Sequence, residues 1–288
     1  MSSQITTAFV EQYSANIQML SQQMGSLLRD AVRNESIVGK DAYFDQIGKV
    51  TAQLKVSRHS DTPQIDTPHS RRRVSISDYE FADLIDQQDK VRLLIDPTSS
   101  YAKAAAYAMG RAMDDVIIAA ALGSANTGVS GGTAVALPAG NITAVGTGGA
   151  NTMNIAKLAL AKAKLDLGDV DPSITRHIIV SPTEIQDLLN TTTITSSDFN
   201  TVKALVQGEI DSFMGFKFHV SNRLVDNGAA NTQCIAFAED GILLGVGKDV
   251  TARIDERSDK SYATQVYYCQ TIGATRMEEA KVISVLAN

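Results

Sequence analysis

Four histidines, two cysteines and two glycine-rich turns are the places where this chain could do chemistry. His59, His69, His177 and His219 are isolated from one another in sequence. None stands in a His-x-x-x-His or His–carboxylate spacing, through which one local segment offers a metal two ligands. Cys234 and Cys269 each sit in an apolar, strand-like run, which reads as two buried, reduced thiols. A nucleophilic Cys234 would need a histidine partner that no local motif supplies. Gly146-Thr147-Gly148-Gly149 has no Gly-Lys-Ser/Thr after it and no buried strand before it, so it does not read as a phosphate loop. Gly245-Val246-Gly247-Lys248 lacks the third glycine and the following helix of a dinucleotide site. Asp61 and Asp66, in a proline-bearing stretch, read as solvated carboxylates. There is no Gly-x-Ser-x-Gly elbow. The expectation is no catalytic residue, no cofactor and no metal.

Charge offers a different kind of site. Arg71, Arg72 and Arg73 form a basic knot, and Asp78, Glu80, Asp83, Asp86 and Asp89 follow it. A charge run is commonly a solvated face. The sharper expectation is complementary pairing, one subunit's arginines against the next subunit's acidic stretch, which sets register and orientation more than affinity. Arg71, Arg72, Arg73, Asp78, Glu80, Asp83 and Asp86 are therefore the candidate interface residues.

The elements that must position them run along 288 residues with a formal charge of −6. That length suits one large domain or two small ones. The mild acidity argues against a dedicated nucleic-acid binder, though not against a protein that encloses nucleic acid. No apolar run approaches the ~20 residues of a membrane span, and no secretory signal is read at the N-terminus.

A long helix is the spine. Asp96 is a good N-cap, Pro97 suits the first helical position, and Gly123 supplies the stop. Between them the run is alanine-rich, with Gly110 as its one glycine. Ala105, Ala108, Ala112, Val116 and Ala119 share one side, widened by Tyr101, Met109, Met113, Ile117 and Ala120.

Before the spine, Val10, Tyr13, Ile17, Leu20, Met24, Leu27 and Ala31 step by three and four, so the first fifty residues read as helical and peripheral. Val50, Ala52, Leu54 and Val56 then alternate with polar residues, as do Val74 and Ile76, giving two strands joined by a polar tip over 58–73. Such a ribbon is marginal alone and should rest on its own body or another subunit. After the spine, 123–150 reads as a loop or irregular hairpin. An α/β part follows over 152–250. It has a helix ended by Gly168, a buried strand Arg176–Val180, and a capping box Ser181-Pro182-Thr183-Glu184 opening a second helix. A Thr/Ser-rich loop over 191–197, a helix over 199–208, and strands Phe216–Val220, Cys234–Ala238 and Ile242–Gly245 complete it. Residues 253–257 form a charged strand or turn. The β-prone runs Gln265–Ile272 and Ala280–Leu286 are expected to form an antiparallel sheet packed on the spine.

This order of elements resembles the Hong Kong 97-like major capsid proteins of tailed bacteriophages. The wording of several stretches is similar too: Asp96-Pro97 opening the spine, Ile179-Val180-Ser181-Pro182 before a helix, and Met214-Gly215-Phe216-Lys217-Phe218-His219-Val220-Ser221-Asn222. The resemblance implies an α+β fold with an N-terminal arm (1–47), an extended two-stranded loop (48–90), a peripheral domain (91–150 and 251–288, spine 97–122) and an axial domain (151–250). It implies a non-enzymatic subunit that assembles with itself, as hexamers and pentamers, into an icosahedral or prolate virion shell built in the host bacterial cytoplasm. A separate scaffolding protein, a portal and loose contact with packaged double-stranded DNA would be its partners, and no crosslink is expected. An encapsulin-type nanocompartment, a phage tail or adaptor protein, and a small-molecule enzyme using the α/β part are the alternatives.

Overall fold

The computed structural model describes residues 22–55, 57–59, 61–62, 64–86, 98–149, 151–190, 212–228 and 231–288. In chain order these form β1 (Arg33–Ser36), β2 (Asp41–Ile47), β3 (His69–Ser75), β4 (Ser77–Ile85), α1 (Thr98–Leu122), β5 (Ala125–Thr127), β6 (Thr133–Val135), β7 (Ile142–Thr143), α2 (Ile155–Leu167), β8 (Arg176–Val180), α3 (Pro182–Asn190), β9 (Ser212–Phe213), β10 (Phe216–Val220), β11 (Thr232–Ala238), β12 (Ile242–Arg257), β13 (Ala263–Arg276) and β14 (Val282–Ala287). The chain divides into two units: Met1–Ser26, Asp78–Ala112 and Lys248–Gln270 make the smaller, and Leu27–Ser77, Met113–Gly247 and Thr271–Asn288 the larger.

The larger unit is built on a six-stranded sheet of order β7-β14-β11-β8-β10-β9. β8 and β10 are parallel, with α3 in the connection between them, and β11 runs antiparallel to both β8 and β14. Alternate residues of these strands point to one face: Ile178, Val180, Phe216, Cys234, Ala236, Ala238, Ile283 and Val285. Against them α2 lays Leu158, Ala161 and Leu165, and α3 lays Leu188. Each large side chain buried there contributes about 1.5–3 kcal/mol. α2 begins at Asn154, whose Oδ1 accepts from the Lys157 amide at 2.8 Å, and ends before Gly168. α3 opens after Ser181, whose hydroxyl donates to the Glu184 carboxylate, a side-chain pair in place of the reciprocal backbone bonds that the capping-box spacing suggested. The C-terminal run corrects the expected topology. β14 pairs with β11 and β7 in this sheet, not with the strands expected on the spine. Its side chains are buried at almost every position, as suits a strand covered on both faces.

A four-stranded sheet of order β2-β3-β5-β6 completes the larger unit. It corrects the reading of the arm. Residues 33–36 and 41–47 are strands, not helix, and β3 pairs with β2, Asp41 opposite Ser75 through Ile47 opposite His69. The alternating run 50–55 has no regular structure, and the described residues from 48 to 68 are exposed throughout. Alternation marks a strand only where a partner exists to pair with it. The residues of the proposed helical seam before 22 lie outside the described residues. Within the described part, Met24 is exposed and only a short 3-10 turn, Arg29–Ala31, is helical.

β12 and β13 run through both units. In the larger, β1 adds to β12 in parallel, Arg33 opposite Leu243; in the smaller, β4 lies beside β13. The charged stretch 253–257 belongs to strand β12. α1 matches the spine, while Asp96 and Pro97 lie outside the described residues. Its buried stripe, Ala105, Met109, Met113, Ile117 and Ala121, keeps the expected methionines and isoleucine but leaves Ala119 of the expected alanine side exposed. The larger side chains chose the inward face because they remove more apolar area from water.

Candidate assembly surfaces

The pleat separates the arginine knot. β3 shows Arg71 and Arg73 on one face and Arg72 on the other. Arg71 stands opposite Asp45 of β2, with Nε 2.5 Å from Oδ1 and Nη2 3.2 Å from Oδ2. Its guanidinium lies 5.7 Å from the centre of the Tyr43 ring. The hydrogen bond from Arg71 holds the Asp45 carboxyl below the usual carboxylate range and raises the guanidinium in return. Arg73 Nε is 4.0 Å from Asp41. Behind Arg73 the chain turns through Gly131 at φ +66°, where a Cβ would come within 2.7 Å of the arginine side chain. Arg72 faces inward and is buried. Its Nε donates to the Met277 carbonyl at 2.9 Å and its Nη2 to Glu279 at 2.6 and 2.5 Å. The three arginines are thus two rungs of a solvent-facing ladder and one buried clamp, each with a partner inside the chain.

The acidic residues lie in and just after β4. Asp78 and Glu80 are exposed on one face, and Asp83 shares the half-buried face with Tyr79 and Phe81. Glu80 accepts from the Tyr267 hydroxyl at 2.9 Å, and that bond pushes the phenol up to about 12. Asp83 Oδ1 accepts from the Leu84 amide at 2.8 Å. Asp86 is exposed, and Asp89 lies outside the described residues.

Two apolar stretches are left in solvent. In the loop between β2 and β3, Val50 is 53% and Leu54 89% exposed. Lys49, at its root, pairs with Asp169. In the smaller unit, the outer half of β12 carries Val250 and Ile254, four residues apart and so on the same face of the pleat, 38% and 49% exposed.

Groups that could do chemistry are used for structure. Cys234 is fully buried, and burial pushes its thiol up. Cys269 corrects the expectation of two buried thiols: it is half-buried and accepts from Lys248 Nζ at 3.2 Å. Lys157 is wholly buried and donates to the carbonyls of Asn151 and Thr152 at 2.6 and 2.8 Å. Desolvation pulls its ammonium below the ordinary lysine value. Arg276, also wholly buried, donates to the carbonyls of Ala121 and Gly123 at 3.0 and 2.7 Å and to Val135 at 2.9 Å. It satisfies orphan carbonyls at the end of α1 and favours the negative pole of the helix. Neither residue stood out in sequence, since each is a lone cation in an unremarkable run.

The histidines at 177 and 219, isolated in sequence, come together with ring nitrogens 2.9 Å apart. Adjacent parallel pairing of β8 and β10 was the missing information. A groove of about 690 Å³ lined by Lys162, Asp166, Asp169, Asp171 and Arg176 is a surface feature, with Arg176 already bound to Asp166 at 2.6 Å. Among the described residues no group of three or more His, Cys, Asp or Glu is placed to hold a metal ion.

The family model described as phage capsid protein matches residues 5–288. A search of curated proteins finds no match. The capsid structure of cyanophage P-SCSP1u superposes with a TM-score of 0.75 at 16% identity, covering 99% of this chain and 94% of that one. The capsid of Ralstonia phage GP4 gives 0.76 at 11% identity, covering 97% and 95%. A structure from Mycobacterium phage Che8 gives 0.73 at 17% identity, covering 96% and 97%. The α+β architecture is thus the capsid fold over nearly its whole length, and the chain belongs to the phage capsid protein family, a structural subunit of the virion shell.

Proposed function

We propose that the chain closes its shell through the loop between β2 and β3, which lies over a neighbouring copy and pairs its apolar residues there. The observation that carries this is the exposure of Val50 and Leu54 on an alternating segment with no strand partner among the described residues. The exposed apolar face of β12, with Val250 and Ile254, is the surface offered to it. Covering such residues in another copy removes apolar area from water without asking the free chain to fold a ribbon that is marginal alone.

In this reading 1–47 is the N-terminal arm, 48–90 the extended loop, 91–150 with 251–288 the peripheral part, and 151–250 the axial part, to whose sheet β14 adds. The axial parts meet around five- and six-fold centres as pentamers and hexamers. Each interface is modest, and closure with multiplicity supplies the stability. Asp78, Glu80, Asp83 and Asp86 remain interface candidates. The arginines enter it with much of their charge already balanced by Asp41, Asp45 and Glu279. A separate scaffolding protein and a portal complete assembly. A shell of net charge −6 per subunit holds packaged DNA loosely. The role is structural, without catalysis.

The test is to replace residues 50–66 by a short Gly/Ser turn, leaving β2 and β3 intact. Folded subunits that form no closed shells support the proposal. Normal shells from the shortened chain overturn it.

A further inference from the structure

β4 is an outermost strand: its sheet runs β1-β12-β13-β4, and among the described residues no strand lies on its far side. The Leu84 amide, taken up at 2.8 Å by the Asp83 carboxylate of its own strand, shows how such an edge satisfies itself when no strand pairs with it. Nine residues make this a long edge, and a long open edge is a template for another strand. Its two faces differ. Glu80, Ala82 and Leu84 are exposed, Leu84 to 42%, while Tyr79 and Phe81 are half-buried.

Residues 50–55 are the converse, a strand-like segment without a sheet. Extended, they put Val50, Ala52 and Leu54 on one face and Thr51, Gln53 and Lys55 on the other. Charge matches the two segments. Residues 48–60 hold Lys49, Lys55 and Arg58 and no carboxylate, whereas 77–86 hold Asp78, Glu80, Asp83 and Asp86 and no lysine or arginine. Lys49 is held by Asp169 at the root of the loop, and Lys55 and Arg58 are exposed. The arginines of β3, by contrast, have carboxylates in their own chain.

We propose that residues 50–55 of one copy add as a further strand to the open edge of β4 in a second copy. This rests on the reading that the loop between β2 and β3 lies on a neighbour, and it names the backbone with which the loop pairs. The occupant is a second copy because the family is one of shell subunits. Val50, Ala52 and Leu54 continue the Tyr79–Phe81 face, where they leave water, and Lys55 continues the face of Glu80. Arg58, just beyond the strand, is left for a carboxylate at the end of β4. Main-chain bonds supply the affinity and the two unlike faces fix the register. Two β4 edges repel each other through their carboxylates, so the edge rejects a copy of itself and accepts a cationic strand. β12 lies two strands away in the same sheet, about 10 Å, and stays within reach of the rest of the loop.

Proline substitution, position by position, reads the pairing. In an added strand alternate residues turn their amides toward β4 and the others turn them away. Proline removes only the bond that its own amide made and is tolerated where that amide faces solvent. Ala52→Pro and Gln53→Pro are made singly in the full chain. Both positions are exposed and outside regular structure, so the subunit should fold, as circular dichroism checks. One variant should lower the yield of closed shells by about tenfold or more and the other by less than about twofold. Equal effects, whether mild or severe, overturn the proposal. Hydrogen exchange read by mass spectrometry, comparing the free subunit with native shells, gives a second reading. Residues 50–55 and 78–84 should both gain protection on assembly, by about tenfold or more. Shells in which either segment stays as open as in the free subunit contradict the pairing, even where the loop is needed for closure. Closed shells formed without residues 50–66 would instead remove the reading on which the pairing rests.

Discussion

The backbone of Gly25 passes directly over Gly110 in the middle of the spine helix: a Cβ placed on Gly110 would lie 2.4 Å from the Gly25 carbonyl carbon and 2.6 Å from its Cα. Next to this crossing, Arg111 Nη1 donates to Gln22 Oε1 at 3.1 Å and to the Gln23 carbonyl at 3.3 Å. A glycine that weakens the helix locally is therefore what lets the N-terminal segment lie against it.

Gly110→Ala sets two effects against each other. Helix propensity gains about 1 kcal/mol. The overlap is with backbone atoms that have no rotamer to yield, and overpacking of that kind costs about 1–3 kcal/mol. The overlap should win, and calorimetry should show a lower Tm for the alanine variant. Valine should be worse.

Arg72 and Arg71 are neighbours with opposite weight. Arg72→Ala takes the buried guanidinium from the Glu279 carboxylate and leaves the Met277 carbonyl with Gln46 as its donor, at a cost of about 1–3 kcal/mol. Arg71→Ala removes a solvent-facing pair with Asp45. It should leave the denaturation midpoint nearly unchanged and abolish what little salt dependence that pair contributes. Urea denaturation of both variants at two ionic strengths checks the contrast.

Arg276 should not be replaceable by lysine. Three carbonyls converge on a planar, forked donor, and a single ammonium cannot reach them with the same geometry. Arg276→Lys should recover little of the roughly 2–4 kcal/mol lost in Arg276→Met, because both leave buried carbonyls unsatisfied. Thermal unfolding of the pair of variants measures it.

Acid should weaken the fold through His177. Its folded value, about 4, lies below the ordinary 6.5. The unfolded chain therefore takes up the proton first, and stability present above pH 6.5 is lost as pH falls toward 4. The loss should be about 1–3 kcal/mol, read as a falling urea midpoint between pH 7 and pH 5. His177→Phe should flatten that part of the profile.

Local signals carried much of the fold. The alanine-rich spine, the Asn154–Gly168 helix, the helix opening at Pro182 and the strands at 176, 216 and 234 all follow from caps and periodicity confined to a few residues. What failed depended on partners distant in sequence. Residues 50–56 alternate as well as any strand, yet the partner of β3 is 41–47, whose Asp45 and Asp41 meet Arg71 and Arg73. β14 was drawn to β11 by pairing across the whole α/β part, which no local pattern reveals. Of the spine's expected inward stripe, Ala105, Met109, Met113 and Ile117 are buried, while Ala119 on its alanine edge is exposed. At the surface, charge signs along 71–86 were legible. The pleat that turns Arg72 inward, and the meeting of His177 with His219, were not.

This chain builds closed shells by contact of its own surfaces. Negative-stain electron microscopy of the expressed chain, alone and with a candidate scaffolding protein, tests it most directly. Closed shells, or hexamers and pentamers on the way to them, are the expected products. A monomer under all conditions, or open tubes and single rings, would contradict it.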